Sequence, residues 1–167
     1  MKMSQGERIK RGNAGQFRVA SELCRRGYSA AITLGNTPNV DILCSSDDGS
    51  KSICIQVKTF RLGAHKCPLT IAAERISRKD FFWVFLGLDD QLSETERPAE
   101  FYILSASELA PKVFKGHRSW LAEKSRSGKM HIDNPMRQVS IDVDIPFTYC
   151  IRNAKNRWDL IAKALAD

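Results

Sequence analysis

The sequence contains no long apolar run, and its cysteines form no recognisable pairing pattern. No stretch approaches the roughly 20 apolar residues that a membrane-spanning helix requires, so we expect no membrane association. The five cysteines are odd in number and include no C-x-x-C pair: Cys24, Cys44, Cys54, Cys67 and Cys150. This pattern argues against a disulfide framework and against a zinc knuckle. We interpret the cysteines as small buried apolar side chains.

The chain also lacks an internal repeat, a low-complexity segment and a linker, so its 167 residues predict a single domain over 1–167. No apolar signal core follows the basic first residues, which leads us to expect a cytoplasmic protein. The net charge of +7 and a pI of about 9.3 favour an anionic partner. Nucleic acid is favoured over a membrane surface because the sequence has no apolar run for a bilayer.

Local patterns predict an α/β chain with a central mixed β-sheet flanked by helices. Apolar residues recur at helical spacing over 13–26, before a C-cap glycine at 27. Alternating or continuous apolar runs predict strands over 28–34, 40–46, 52–60, 81–88 and 101–104. An S-x-x-E capping box at 105–108 predicts a helix start, and apolar spacing over 158–165 predicts a closing helix. We expect loops over 61–68 and on a basic face over 112–137, and a short strand or helix over 69–79.

A pair of polar residues interrupts the strand predicted over 52–60. The composition of D-D-G-S at 47–50 indicates a hairpin turn, and a turn centred there places Asp41 directly opposite Gln56. Opposite residues point to the same face with Cβ atoms about 4.5–5.5 Å apart. Lys58 shares that face because strand side chains alternate, while Ile55 and Val57 face the core. An acid, an amide and an ammonium group are therefore predicted to meet at one end of a hairpin.

These groups suit phosphodiester hydrolysis. The reaction uses an oxygen-ligated divalent cation that polarises the phosphate and lowers the pKa of a bound water. Mg²⁺ requires only one or two carboxylates, so Asp41, Gln56 and the carbonyl of Val57 fit as metal ligands, with Mn²⁺ as a substitute. Lys58 fits as the group that orients the water or neutralises charge developing on the phosphate.

The order helix, strand, loop, D, hairpin, Q-x-K resembles the PD-(D/E)XK nuclease superfamily, the restriction-endonuclease-like fold that includes the archaeal Holliday junction resolvases. The resemblance covers residues 11–59, in G-N-A-G-Q-F-R-V-A-S-E-L-C-R-R-G-Y, N-V-D-I-L and I-Q-V-K-T. It implies a nuclease core over 11–104, followed by basic loops and the closing helix over 105–167. The proline of the motif, Pro38, lies three residues before Asp41 instead of next to it.

The resemblance also implies a role for each residue that matches the motif. Asp41 takes the place of the metal-binding acid, Gln56 the place of the second acid, and Lys58 the place of the lysine that assists the water. The superfamily often adds an acid from the first helix, and that position holds Gln16. Glu22 is the other candidate helper, although it lies about 120° around the helix from Gln16. Amides at two acid positions remove negative charge from the metal site.

Basic residues around the motif favour DNA as the partner. We predict contacts to the DNA backbone from Arg11, Arg18, Asn36, Arg75 and Arg78. Such contacts are sensitive to salt and do not read sequence. The charged cluster over 74–79 is also typical of a solvated face.

Three functions remain open from the sequence. The first is a Mg²⁺-dependent DNA endonuclease of the PD-(D/E)XK type, for which cleavage of both strands would favour a homodimer. The second is a module with the nuclease fold that has lost catalysis and binds nucleic acid or a protein partner. The third is a subunit of a larger complex, docked through exposed aromatic residues and the closing helix.

Overall fold

A computed structural model describes residues 3–33, 37–89 and 97–166 of the chain. Four α-helices and eight strands are present in these ranges. In chain order they are α1 Gln5–Arg25, β1 Ser29–Ile32, β2 Ile42–Ser45, β3 Ser52–Arg61, β4 Lys66–Thr70, α2 Ala72–Arg75, β5 Phe81–Leu88, β6 Glu100–Ser105, α3 Ala106–Ala122, β7 Met136–Ser140, β8 Tyr149–Cys150 and α4 Asp159–Ala166. None of the helices in the described ranges is long and apolar enough to cross a membrane.

Two sheets organise the molecule. The central sheet has the order β1-β2-β3-β5-β6, in which β3 and β5 are parallel and the other neighbours antiparallel. A smaller sheet has the order β4-β7-β8. One face of the central sheet packs on α1 and α4, and the other packs on α3 and the smaller sheet. The predicted α/β class with a mixed central sheet flanked by helices is therefore confirmed.

The hairpin between β2 and β3 has the predicted register. Ile42 pairs with Ile55 and Ser45 pairs with Ser52, so the next pair toward the open end is Asp41 and Gln56. Gly49 supplies the left-handed residue of the turn with a φ of 70°. Ile53, Ile55 and Val57 are buried against α1, as their alternation predicts.

The first helix is longer than its apolar spacing predicts. It begins at a capping box in which Ser4 Oγ accepts from the Glu7 amide at 3.2 Å and Glu7 Oε2 accepts from the Ser4 amide at 2.7 Å. This S-x-x-E motif starts the helix two turns before the apolar periodicity becomes visible. The predicted C-terminal end is confirmed, because Gly27 follows the helix with a φ of 86°.

About half of the residues in the loops expected over 61–68 and 112–137 lie instead in helices or strands. Helix α3 continues to Ala122, three of the five residues of β4 lie within 61–68, and β7 begins at Met136. Gly116 lies inside α3 without breaking it. The Phe147 segment packs against the helix at this point, where a Cβ would be only 2.5 Å from the Phe147 carbonyl oxygen. The closing helix is confirmed, with Trp158, Ile161 and Leu165 buried. The cysteines are less uniformly buried than expected, since Cys24 is exposed.

We expect Gly15 and Gly12, which lie one turn apart on α1, to respond oppositely to alanine. A Cβ at Gly15 would overlap Thr59 Oγ1 and lie 3.0 Å from Thr59 Cβ, whereas nothing lies within 4 Å of a Cβ at Gly12. Chemical unfolding should show Gly15→Ala destabilised by about 1–3 kcal/mol, because α1 must move off β3. Gly12→Ala should be stabilised by about 0.5–1 kcal/mol through helix propensity. Equal effects would contradict the close approach of α1 to β3.

Candidate active site

Asp41 directly precedes β2. Its carboxylate accepts a hydrogen bond from β3 where the pairing between β2 and β3 has ended. The Asp41 amide donates to the Ile55 carbonyl at 2.9 Å. Two residues further along β3, the Val57 N–H points to the same edge, past the last paired residue of β2. Asp41 Oδ2 accepts from this N–H at 2.7 Å. Backbone and side chain of Asp41 are thus both fixed to β3.

Two glutamine amides complete the surroundings of the carboxylate. Gln16 Nε2 donates to Asp41 Oδ1 at 3.0 Å, and Gln56 Nε2 donates to Asp41 Oδ2. Gln16 comes from α1, which approaches β3 closely because its preceding residue, Gly15, has no side chain to meet Thr59. Three elements, α1, β2 and β3, therefore converge on one carboxylate.

Burial and hydrogen bonding act in opposite directions on this carboxylate. Desolvation by the surrounding protein raises the pKa of Asp41 above its usual value, while the Val57 N–H and the charge of Lys58 lower it. Gln56 is 7% exposed, so its amide has little access to water and depends on the carboxylate as a partner. The cluster is a partly desolvated acid held by uncharged donors.

Lys58 lies beside the cluster with its ammonium group uncommitted. It is half-buried on the same face of β3 as Gln56, and its charge also lowers the pKa of the Cys67 thiol, which burial raises to about 12. Across residues 3–33, 37–89 and 97–166, Lys58 forms no ion pair or hydrogen bond. Its ammonium is therefore available to an anion that approaches Asp41.

The face that carries Gln56 and Lys58 has an open strip next to the cluster. The smaller sheet and α3 cover this face over β5 and β6, but over β1 and β2 the side chains are exposed. Leu43 pairs with Cys54 and is 47% exposed, and Ala31 is exposed beyond it. This open strip, formed by Ala31, Leu43 and Cys54, is a surface along which a large substrate can reach the cluster.

The structure separates the two helix candidates for a helper residue. Gln16 reaches the carboxylate, whereas Glu22 binds Arg26 at 2.8 Å and lies 3.8 Å from Arg25. These positions agree with the angle of about 120° that separates Gln16 and Glu22 on a helix. Gln16 is thus part of the cluster, whereas Glu22 forms ion pairs with Arg25 and Arg26 at the C-terminal end of α1.

The residues predicted to contact DNA are spread over several surfaces. Arg78 binds Asp80 and has a guanidinium nitrogen 3.9 Å from Cys54 Sγ, which places it beside the open strip. Arg75 and Arg18 are exposed on α2 and α1. Arg11 lines a separate cavity at the N-terminal part of α1. Asn36 lies outside the described residues.

The cluster contains one carboxylate, and its other oxygens are uncharged. In the part of the chain that the structure describes, no three His, Cys, Asp or Glu side chains come together in a way that could hold a metal ion. The Val57 carbonyl borders the cluster at 3.5 Å from Gln56 Nε2. Rotation of an amide by 180° exchanges its nitrogen for its oxygen. Asp41, Gln56 and Val57 can thus offer an all-oxygen set of low charge, which fits Mg²⁺.

Sequence reasoning missed the contact that positions Gln16. The glycine in G-N-A-G-Q-F lies within a helical pattern, and such a glycine often marks a close packing contact. The Thr59 hydroxyl at this contact is buried, and among the described residues it has no hydrogen-bond partner. Gly15 was therefore a detectable signal, but its partner Thr59 was not.

No protein-family model matches the chain, and no curated protein matches it in sequence. Among solved structures, a bacterial homing endonuclease, I-Ssp6803I, is similar over 93% of this chain and 92% of its own, with 14% identity and a TM-score of 0.49. Similarity at this level does not establish a shared activity.

We expect Gln56→Glu to destabilise the protein in the absence of divalent ions, by about 1–3 kcal/mol at pH 7. The new carboxylate would lie against Asp41, and the like charges would raise the pKa of the pair in the folded state. The folded state then binds more protons than the unfolded state, so stability should increase as the pH falls toward 5. Thermal unfolding between pH 5 and 8, with and without Mg²⁺, measures both effects.

The matched control is Gln138→Glu, which changes an exposed strand glutamine on β7. Its stability should depend little on pH or on Mg²⁺. If Gln56→Glu is as stable as the unchanged protein at pH 7 without a cation, the contact between Gln56 and Asp41 is wrong.

Proposed function

We propose that the protein is a metal-dependent DNA endonuclease of the PD-(D/E)XK type, which hydrolyses phosphodiester bonds. The observation that carries this proposal is the convergence of Asp41, Gln56 and Lys58 at the end of a hairpin, with Gln16 reaching the same carboxylate from the first helix. The positions match the order in which that superfamily carries its motif.

The oxygen atoms at the cluster are the proposed metal ligands. The Asp41 carboxylate, the Gln56 amide oxygen and the Val57 carbonyl would hold Mg²⁺ or Mn²⁺, and waters would complete the shell. When bound, the ion would polarise the phosphate and lower the pKa of a bound water. With a single carboxylate, we expect weaker cation binding than at a site with two.

Each remaining residue has a role that follows from its contacts. Lys58 forms no ion pair or hydrogen bond with a described residue, so its ammonium would orient the attacking water or neutralise charge that develops on the phosphate. Gln16 touches the Asp41 oxygen that Val57 leaves open, and we assign it a positioning role. Mutation of a positioned donor or charge of this kind typically costs about 10²–10³ in rate.

DNA is the proposed substrate because an anionic polymer suits both the charge and the surface. The chain carries a net charge of +7, and the open strip gives a phosphate backbone access to Lys58. Arg78 lies at the edge of the strip and would contact a phosphate if its ion pair with Asp80 were replaced by one with the DNA backbone. Cleavage of both strands would require two clusters, which a homodimer supplies.

A second function is favoured by the hydrogen bonds themselves. Both oxygens of Asp41 accept N–H donors from the protein, so the cluster is satisfied without a cation. A nuclease-fold module that has lost catalysis and binds nucleic acid or a protein partner would show this arrangement. It predicts DNA binding that survives Asp41→Asn and needs no divalent ion.

Plasmid cleavage in Mg²⁺ or Mn²⁺ is the experiment that tests the proposal. We expect nicking or linearisation by the unchanged protein and a loss of about 10²-fold or more in both Asp41→Asn and Lys58→Ala. The matched control is Lys66→Ala, which removes an exposed strand lysine away from the cluster and should cleave normally.

A parallel binding assay with the same DNA separates the two functions. Binding by Asp41→Asn at the affinity of the unchanged protein, with no cleavage by either, would favour the module. Supercoiled, linear and branched DNA that are neither bound nor cut would exclude both functions.

A further inference from the structure

A second cavity lies beside α3 and the smaller sheet and shares no lining residue with the Asp41 cluster. It has a volume of about 260 Å³ and is bordered by α3, β4 and β7; we call it the α3 cavity. Leu69 and Val139 point inward to the core, whereas Pro68 and Gln138, which alternate with them, line the cavity. The α3 cavity is therefore distinct from the Asp41 cluster.

The walls of the α3 cavity are rich in aromatic rings. Trp120 lines it and stacks on His131 with ring centroids 4.0 Å apart and on His117 with centroids 5.4 Å apart. The Phe147 ring lies at the rim and is 41% exposed. A planar apolar group can extend such an arrangement by stacking or by edge-to-face contact.

Exposed apolar side chains are concentrated in this part of the chain. Five of the eight large apolar side chains exposed in the described ranges belong to residues 114–147: Phe114, Met130, Ile132, Met136 and Phe147. Met136 and Phe147 line the cavity directly. Concentrated exposed apolar surface of this kind is typical of an interaction site.

The segment 115–129, which runs from the cavity-lining part of α3 into the chain after it, carries an excess of positive charge over its one acid, Glu123. Five cations follow in sequence from α3 into the segment after it: Lys115, Arg118, Lys124, Arg126 and Lys129. All five are exposed, and none pairs with a carboxylate among the residues that the structure describes. A second copy of the chain would bring the same cations to the interface, so like charges oppose it. An anionic partner with planar apolar groups is complementary to both features.

Polar groups at the cavity can bind the edge of a base. Gln138 is exposed at the wall. The Asn134 amide also lines it, but its Oδ1 accepts from the Met136 N–H at 2.9 Å and its Nδ2 donates to the Ile132 carbonyl at 3.4 Å. Arg137 is not available to a phosphate, because Glu74 accepts from it at 2.6 and 2.8 Å and the Asn134 carbonyl at 2.5 Å. This buried ion pair fixes the wall, so the groups left to contact a base are the Gln138 amide and the aromatic rings.

We propose that the α3 cavity binds an unpaired base of a single-stranded nucleic acid, while the neighbouring cations contact the adjacent phosphates. Base stacking on aromatic side chains beside a basic surface is how proteins bind single strands without strong sequence preference. An acidic peptide would match the charge, but a cavity of about 260 Å³ beside stacked rings fits one planar group better than a series of extended side chains. The proposal is independent of catalysis at Asp41.

The test uses the full chain and oligonucleotides of about 12 nucleotides, near the length that such sites cover. The probes are oligothymidylate, oligouridylate, a duplex of equal length and an abasic strand with the same charge. Tryptophan fluorescence is the readout, since Trp120 is half-exposed and Trp83 and Trp158 are buried. We expect quenching by the strands that carry bases and weak binding of the abasic strand. A preference between the first two probes distinguishes DNA from RNA.

The variant Phe147→Ala should lower the affinity for the base-carrying single strands about 5- to 150-fold, the range typical for loss of one stacking ring. The control Phe17→Ala removes an equally large exposed ring on α1 and should bind normally. Asp41→Asn should also bind single strands normally, and Phe147→Ala should keep any activity on plasmid DNA. Failure of the nuclease proposal therefore leaves this test unaffected.

Several outcomes would overturn the proposal. Equal binding of the abasic and base-carrying strands would show a charge effect alone. Unchanged binding by Phe147→Ala would remove the cavity from the interaction. A concentration-dependent dimer in sedimentation that Phe147→Ala abolishes would assign the cavity to a second copy. Quenching by an acidic peptide but by no oligonucleotide would assign it to a protein partner.

Discussion

The hydrogen bonds to the Asp41 carboxylate are the interaction on which the candidate site depends. The carboxylate takes over from β2 at the edge of β3 and satisfies the Val57 N–H that strand pairing no longer reaches. The same group accepts from Gln16 and Gln56, so it holds α1 and both strands of the hairpin at one point. Because the first helix can come this near only over a glycine, the packing at Gly15 and the chemistry at Asp41 are parts of one arrangement.

The use of amides instead of acids has a consequence for both stability and function. Two carboxylates beside Asp41 would repel it without a cation, whereas the amides of Gln16 and Gln56 donate to it and keep the cluster formed. A cation that binds here meets less negative charge and must exchange the amide nitrogens for oxygens. A cation of the kind we propose would therefore meet a preformed cluster, and we expect its affinity to be modest. Lys58 remains available in either state because no described carboxylate pairs with it.

The sequence was sufficient to predict the hairpin but not the layer that covers it. The register of Asp41 and Gln56 follows from a short turn and a period of two, which are local properties. The smaller sheet depends on pairing between segments that are distant in sequence, such as Lys66 with Ser140, and no local pattern predicts such pairing. The glycine at 116 lies inside α3 because of a contact with Phe147, which is equally distant in sequence. For the same reason the α3 cavity had no sequence signal beyond a basic composition.

Diffraction from a crystal soaked in Mn²⁺ tests the central claim most directly, because the anomalous signal of manganese locates the ion independently of activity. The account predicts a peak within about 2–2.5 Å of the Asp41 carboxylate, the Gln56 amide oxygen and the Val57 carbonyl, with the Gln56 amide rotated from its cation-free orientation. A crystal that shows no peak at the cluster at saturating Mn²⁺, with both amide nitrogens still donating to Asp41, would contradict it.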